Sequence, residues 1–366
     1  MIRPAKFNPI SRRNFLQISA LGGILAASPP LGAQVFPVLN DVRRRIGAGP
    51  VKSFCIDFNW GEKHVAEPGL YAQADPREHV RWYQDMGVNT LQTFCVTYNG
   101  YAWYPSDVAP LTPGLRSPNF VGDMVELGHQ AGMNVLGYFC LGGNKYWEQK
   151  HPDLVHGSYL KDFRTPFSLE YLEYTCRSIE DALKKIDMDG FLIDEFRPIQ
   201  HPRWLDCERT MYRELLGEKF PASGHPSKEA VAEFDRRAVE RAWRLIKWVV
   251  YGTRRVVIFT NQPFMDRDLA AWEGNQMLKE ADWILNETPD LKWLSWMHQQ
   301  VGPNTLIVQN LCGWEGHDAS VWRQVDTKSY GLYGFAKADE KTTLPSAKNS
   351  PNASNVRILR EAFHSL

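Results

Sequence analysis

The sequence predicts an α/β fold, a single (β/α)8 TIM barrel, and three observations support this prediction. Short apolar runs alternate along the chain with amphipathic helical stretches, which is the pattern of parallel βα units. Eight such runs occur in about 300 residues, the usual size of this barrel. The runs are apolar almost throughout, as strands that are buried on both faces should be. An open doubly wound sheet is the alternative, but no Gly-x-Gly-x-x-Gly motif follows the first strand.

The candidate strands are defined by these apolar runs. They are Ser53–Trp60, Thr90–Tyr98, Asn134–Gly143, Gly190–Phe196, Val256–Pro263, Trp283–Pro289, Thr305–Gly313 and Tyr330–Asp339. The candidate helices are a helix that begins at Asp75-Pro76, then Asn119–Ala131, Ser168–Ile186, Ser227–Tyr251, Asp266–Ala281, Asp290–Val301, Ala319–Thr327 and Ser354–His364. Asp75-Pro76 combines a capping side chain with a proline at the first helical position. We expect the longest connection without regular structure to be Arg197–Pro226, directly after the fourth strand.

The N-terminal residues resemble a twin-arginine export signal. Ser11-Arg12-Arg13-Asn14-Phe15-Leu16-Gln17 is followed by a weak apolar run, Ile18–Ala27, and by the small-residue cleavage site Leu31-Gly32-Ala33. The predicted division is therefore a signal peptide at residues 1–33, a linker at 34–50 and the barrel at 51–366. The resemblance implies a bacterial protein that the twin-arginine translocase carries to the periplasm or beyond.

Composition excludes some classes of partner. The formal net charge is +0, so there is no electrostatic footprint for nucleic acid. No stretch after the signal is apolar enough for stable insertion in a membrane. The 13 Trp and 14 Tyr are either core residues or a surface for carbohydrate, whose C–H faces stack on aromatic rings. No motif for a cofactor occurs, and the six cysteines lack metal-ligand spacing, so we expect buried thiols at Cys55, Cys95 and Cys140.

Polar side chains at the ends of the predicted strands form the candidate site. In this fold the chemistry is carried at the C-terminal ends of the strands. The candidates are Asp57, Asn59, Tyr98, Tyr138, Lys145, Trp147, Asp194, Glu195, Arg197, Asn261, Glu287, Gln309, Trp314 and Lys337.

Strand alternation separates Asp194 from Glu195. Side chains two residues apart share a face of a strand, so Leu192 and Asp194 share one face and Ile193 and Glu195 the other. If Asp57 marks the inward face, Asp194 points into the barrel mouth and Glu195 is its neighbour. A bulge at the strand end would reverse this assignment.

Two segments resemble the α-L-fucosidase-type glycoside hydrolases. The stretch from Gly128 to Phe139 (GHQAGMNVLGYF) is similar to their third βα unit, and Ile186–Asp194 (IDMDGFLID) to their fourth strand, which ends in a catalytic aspartate. α-Galactosidase-like families also place a nucleophile there and an acid/base at the end of strand six. The resemblance implies a carbohydrate substrate, with Asp194 as nucleophile and Glu287 as general acid/base of a retaining glycosidase acting on α-glycosides.

Several alternatives stay open. Glu315, on the loop after strand seven, competes with Glu287 as acid/base. Asn286-Glu287 also resembles the Asn-Glu pair of β-glycosidases, which follows strand four, so the strand count decides between the two interpretations. A non-catalytic barrel that binds carbohydrate would keep the aromatic residues. Trp147 either stacks on a sugar ring or packs within its own loop. A metal-dependent hydrolase is a third possibility, because Asp57 and Asp194 are possible ligands of a cation.

The sequence departs from the fucosidase pattern in two places. Thr97-Tyr98-Asn99 stands where that family has His-His near the second strand. About 27 residues follow the eighth strand, too few for a C-terminal β-sandwich, so we expect none.

Overall fold

A computed structural model describes residues 49–61, 65–156, 165–196, 202–253, 257–261, 272–288, 290–313, 316–345 and 353–366. The export signal predicted around Arg12-Arg13 and nearly all of the predicted linker lie outside the described residues.

Eight parallel strands close into a barrel in the order in which they occur along the chain. They are β1 (Lys52–Asp57), β2 (Thr90–Val96), β3 (Asn134–Cys140), β4 (Gly190–Asp194), β5 (Val257–Asn261), β6 (Trp283–Asn286), β7 (Leu306–Asn310) and β8 (Tyr330–Lys337). The predicted fold is confirmed, and all eight predicted strands exist. Where the residues after a strand are described, the predicted strand runs two or three residues beyond its observed C-terminal end, into the connecting loop. Among the described residues every strand belongs to this one sheet.

Helices connect the strands. They are α1 (Pro76–Met86), α2 (Phe120–Gln130), α3 (Lys145–Lys150), α4 (Leu169–Lys185), α5 (Asp206–Leu216), α6 (Lys228–Thr253), α7 (Gln276–Glu280), α8 (Lys292–Gln300) and α9 (Ala353–Ser365), with 3₁₀ turns at Pro152–Leu154 and Ala319–Gln324. The predicted cap at Asp75 is confirmed, because its Oδ1 accepts from the N–H of Arg77 at 2.8 Å. Ser168 caps α4 in the same way: its Oγ accepts from the N–H of Tyr171 at 3.3 Å. In the part of the chain that the structure describes, no helix is both long and apolar enough to cross a membrane.

One predicted connection and one predicted helix differ from the structure. The segment predicted to lack regular structure, Arg197–Pro226, contains α5, which no Ser, Thr, Asp or Asn side chain caps. The residue before this helix is Leu205, whose N–H donates to Glu208 Oε2 at 2.8 Å. The sequence therefore lacks the side chain that usually marks the start of a helix. The helix predicted at Ala319–Thr327 is a short 3₁₀ turn. Only the C-terminal part of the helix predicted at Asp266–Ala281 lies within the described residues, and it contains α7.

Contacts to the helices fix which face of each strand points inward. A Cβ placed on Gly128 of α2 would lie 2.6 Å from Val135 and 3.3 Å from Leu91, so these two residues face the helix layer. The strand register then assigns the alternate residues to the interior. The rings of Phe259 and Tyr333 confirm this, since they meet inside the barrel with centroids 6.0 Å apart.

The cysteines behave as predicted. All six lie within the described residues and none is joined to another; five are buried, and Cys207 is partly exposed. Cys55 and Cys140 are on the inward faces of β1 and β3, whereas Cys95 faces the helices beside Met188.

Candidate active site

Polar side chains from five strands converge at the C-terminal mouth of the barrel. Register and alternation place them on the inward faces of β1, β3, β4, β7 and β8, and Glu287 follows directly after β6, two residues beyond the inward Leu285. The inward residues are Asp57, Tyr138, Cys140, Asp194, Asn310 and Lys337. The strand count is also settled: Asp194 ends strand four and Glu287 follows strand six.

A chain of hydrogen bonds holds the carboxylate of Asp194. The phenol of Tyr138 donates to Asp194 Oδ2 at 2.5 Å, and Asn59 Nδ2 donates to the Tyr138 oxygen at 2.9 Å. The other oxygen, Oδ1, accepts from the backbone N–H of Glu195 at 2.8 Å. Asn59 is itself fixed, because its Oδ1 accepts from the N–H of Tyr98 at 2.8 Å. Residues from four successive βα units therefore fix the orientation of one carboxylate.

Tyr138 is suited to remain a donor in this chain. Its ring is buried and packs on Phe94 with centroids 4.3 Å apart. Burial, and then the negative charge of Asp194, raise the pKa of Tyr138 well above its ordinary value. The phenol therefore keeps its proton, and its O–H points at the carboxylate.

Asp57 is a second buried carboxyl, at the end of β1. Burial raises its pKa from 3.8 to about 7, although the N–H of Asn59, which donates to Oδ1 at 2.7 Å, and the charge of Lys337 act in the opposite direction. The charge of Glu287 raises the pKa of Asp57 further. Lys337 is the register partner of Asp57 on the neighbouring strand, so a cation and an acid lie side by side at the mouth.

Glu287 is the third carboxyl of the site and is buried. Its backbone takes part in a hydrogen bond with the ring of His317. After burial, the pKa of the Tyr333 phenol is raised by the charges of Asp194, Asp57 and Glu287 together with that of Cys55. Inside the barrel, the Tyr333 phenol donates to Gln92 Oε1 at 3.2 Å.

Other predicted residues are not brought into the mouth. Gln309 is fully buried on the outward face of β7, where Asn286 Nδ2 donates to its Oε1 at 2.6 Å. Trp147 is buried in its own loop, with its ring 4.1 Å from that of His151, so its contacts are those of packing. Lys145 forms an exposed ion pair with Glu67 at 3.2 Å.

Tyr98 lies at the rim, with its ring stacked 6.4 Å from that of Trp60. Predictions for Arg197, Trp314 and Glu315 fall outside the described residues, as does the side chain of Asn261 at the end of β5.

Sequence reasoning missed two residues of the interior, Tyr333 and Gln92. Neither is at a strand end, so a search for polar residues at strand ends passes over them. The same alternation that selected Asp194 would have found Tyr333, because it is four residues before Lys337 on the inward face of β8.

A metal site is not apparent among the described residues, in which no group of three or more His, Cys, Asp or Glu side chains is placed to hold an ion.

The sequence matches no family model and no curated protein. The structure resembles solved structures. One is α-L-fucosidase isoenzyme 2 from Paenibacillus thiaminolyticus, at 14% identity and a TM-score of 0.58; the match covers 86% of this chain and 49% of that one. This chain therefore spans about half the length of that fucosidase. Another is the PgaB (BpsB) glycoside hydrolase domain from Bordetella bronchiseptica, at 14% identity and a TM-score of 0.54, covering 84% of this chain and 98% of that one. At identities this low, a structural match shows a shared fold only.

The raised pKa of Asp57 predicts a pH-dependent stability. Between about pH 4 and pH 7 the folded protein holds a proton on Asp57 that the unfolded chain has released, so this group stabilises the fold below pH 4 and loses that effect as the pH rises to about 7. In Asp57→Asn the side chain does not titrate, so the loss of stability with rising pH that Asp57 causes is absent. We expect the unfolding free energy of the variant, relative to wild type, to increase by up to about 4 kcal/mol between pH 4 and pH 8. Denaturant unfolding at both pH values measures it; a difference that is independent of pH would contradict the prediction.

Proposed function

We propose that the protein is an exported retaining glycoside hydrolase that acts on α-glycosides, with Asp194 as nucleophile and Glu287 as general acid/base. The observation that carries the proposal is geometric: Asp194 is the inward residue that ends β4, and Glu287 follows β6 two residues beyond the inward Leu285, so both carboxyl groups lie at the C-terminal mouth of the barrel. A pair of carboxyl groups at the C-terminal end of a barrel is what a glycosidase requires.

The reaction follows from the roles of the two groups. The Asp194 carboxylate attacks the anomeric carbon while the bond to the leaving oxygen breaks, and that oxygen takes the proton of Glu287. The product is a glycosyl ester on Asp194. Glu287, now a carboxylate, removes a proton from water, which attacks the anomeric carbon and releases Asp194. Tyr138 and Asn59 orient the nucleophile throughout, and Asp57 and Lys337 bind sugar hydroxyls.

The structural neighbours agree with this proposal at the level of the fold. One is an α-L-fucosidase and the other a glycoside hydrolase domain, and both share the barrel with this chain. Because barrels of this fold carry out many different reactions, the fold alone does not indicate the activity, and the proposal depends on the two carboxyl groups.

The first test removes the nucleophile. Asp194→Asn keeps the shape of the side chain and abolishes its charge, so we expect hydrolysis of the responsive member of an aryl-α-glycoside panel to fall at least about 10³-fold. Asp187→Asn is the matched control, because Asp187 is exposed and precedes the same strand at the opposite end of the barrel. It should keep wild-type activity.

Other outcomes would favour the alternatives. Full activity in Asp194→Asn would remove Asp194 from the mechanism. Saccharide binding without hydrolysis by the wild type would favour a non-catalytic carbohydrate-binding barrel. Activity that a chelator abolishes and a divalent cation restores would favour a metal-dependent hydrolase.

A second test identifies the acid/base. Glu287→Ala should reduce the rate strongly for aryl glycosides whose leaving group needs protonation, and at least about 10-fold less for a dinitrophenyl glycoside, whose leaving group departs without a proton. Rates across a series of leaving groups measure this. The same series with Glu315→Ala provides the comparison: leaving-group dependence in that variant, and not in Glu287→Ala, would transfer the role to Glu315.

A third test concerns export. Replacing both Arg12 and Arg13 by lysine should retain the protein in the cytoplasm of a bacterial host that has the twin-arginine translocase, because the paired arginines are the feature that the translocase reads. Cell fractionation measures the distribution, and Arg3→Lys is the control outside the motif. Equal export of the double variant and the control would contradict the proposed route.

A further inference from the structure

Glu195, the residue directly after the proposed nucleophile, has a strained backbone. Its φ is 54°, in the left-handed region, where the Cβ of any residue other than glycine crowds the following carbonyl. Among the described residues, only Trp204 and Thr343 share this feature without being glycine. Strain of this kind is kept where the surrounding structure holds it, and it is concentrated at functional sites.

The surroundings of Glu195 show where its side chain lies. A Cβ built on Gly142, in the loop after β3, would lie 2.5 Å from the Cβ of Glu195 and 3.5 Å from its Oε2. The side chain therefore lies across a position that only glycine leaves open. Burial, then the charge of Asp194 and that of Glu195, raise the pKa of Cys140, an inward residue and the register partner of Asp194. Glu195 is partly exposed and directly follows the C-terminal end of β4, next to the loop that contains Gly142.

We propose that Glu195 is a substrate-contacting residue that sets sugar specificity, and that its left-handed backbone is the conformation that brings its carboxylate over the Gly142 loop to the sugar. This inference rests on the proposed function. The α-carbons of Asp194 and Glu195 are about 3.8 Å apart, so a sugar whose anomeric carbon meets Asp194 has its own hydroxyls within reach of Glu195.

A carboxylate is an acceptor with two oxygens, and it binds neighbouring hydroxyl donors more strongly than an amide does. A sugar that lacks the contacted hydroxyl forgoes this charge-assisted hydrogen bond in the transition state and therefore reacts more slowly. Glu195 would thus select the glycon by the presence and position of its hydroxyl groups.

The test compares Glu195→Gly with wild type in thermal stability and in specificity. Glycine adopts the left-handed conformation without strain, so we expect Tm to rise by about 1–3 °C. At the same time kcat/KM for the parent glycoside should fall about 10²-fold. The fall should shrink to less than about 3-fold for the deoxy-glycoside that lacks the contacted hydroxyl. Glu195→Gln, which keeps the length of the side chain, should recover part of kcat/KM.

Gly217→Ala calibrates the stability change. Gly217 ends α5 with φ 73°, and a Cβ there would meet no atom within 4 Å, so the alanine adds left-handed strain and little else. Its Tm should fall by an amount similar to the rise in Glu195→Gly, with unchanged kcat/KM.

The outcomes separate two failures. If the wild type hydrolyses no glycoside, or if Asp194→Asn keeps activity, the proposed function fails, and this inference fails with it. If wild type is active and Asp194→Asn is not, the inference alone is overturned by a Glu195→Gly variant that is less stable than wild type, that keeps full kcat/KM, or that loses activity equally on parent and deoxy-glycosides.

Discussion

Closure of the barrel is the constraint on which the rest of the structure depends. Eight parallel strands in a ring point every second side chain inward, so the last inward residues of different strands must meet in one small space. Here those residues include Asp57, Asp194 and Lys337, with Glu287 directly after its strand. Burying a carboxylate is unfavourable, and the pKa of Asp57 is raised first by its burial and then, to a smaller extent, by the charge of Glu287.

Hydrogen bonds offset the cost at the carboxylate that matters most to the proposed reaction. Tyr138 and the N–H of Glu195 each donate to a different oxygen of Asp194, and Asn59 holds Tyr138 in place. Asp57 Oδ1 accepts from one backbone N–H, that of Asn59, and burial raises the pKa of Asp57 to about 7.

The sequence was sufficient for the barrel and for the direction of Asp194, because both depend on a two-residue period that apolar runs display directly. The sequence did not determine which way Gln309 points. Gln309 and Asn310 are adjacent at the end of β7, and only the strand register shows that Asn310 faces inward. Trp147 was ambiguous for a different reason, since a loop tryptophan looks the same in a sequence whether it packs or binds. Tyr333 was missed because its position is inside the strand, and α5 because Leu205 precedes it in place of a capping side chain.

The central claim is that Asp194 forms a covalent bond with the substrate, and trapping that bond tests it most directly. A 2-fluoro glycoside with a good leaving group slows hydrolysis of the glycosyl-enzyme, so the intermediate accumulates and can be located by mass spectrometry of peptides. The account predicts a single added glycosyl group on the peptide that contains Asp194, and none in Asp194→Asn. A label on another carboxylate, or turnover of the parent glycoside with inversion at the anomeric carbon, would contradict it.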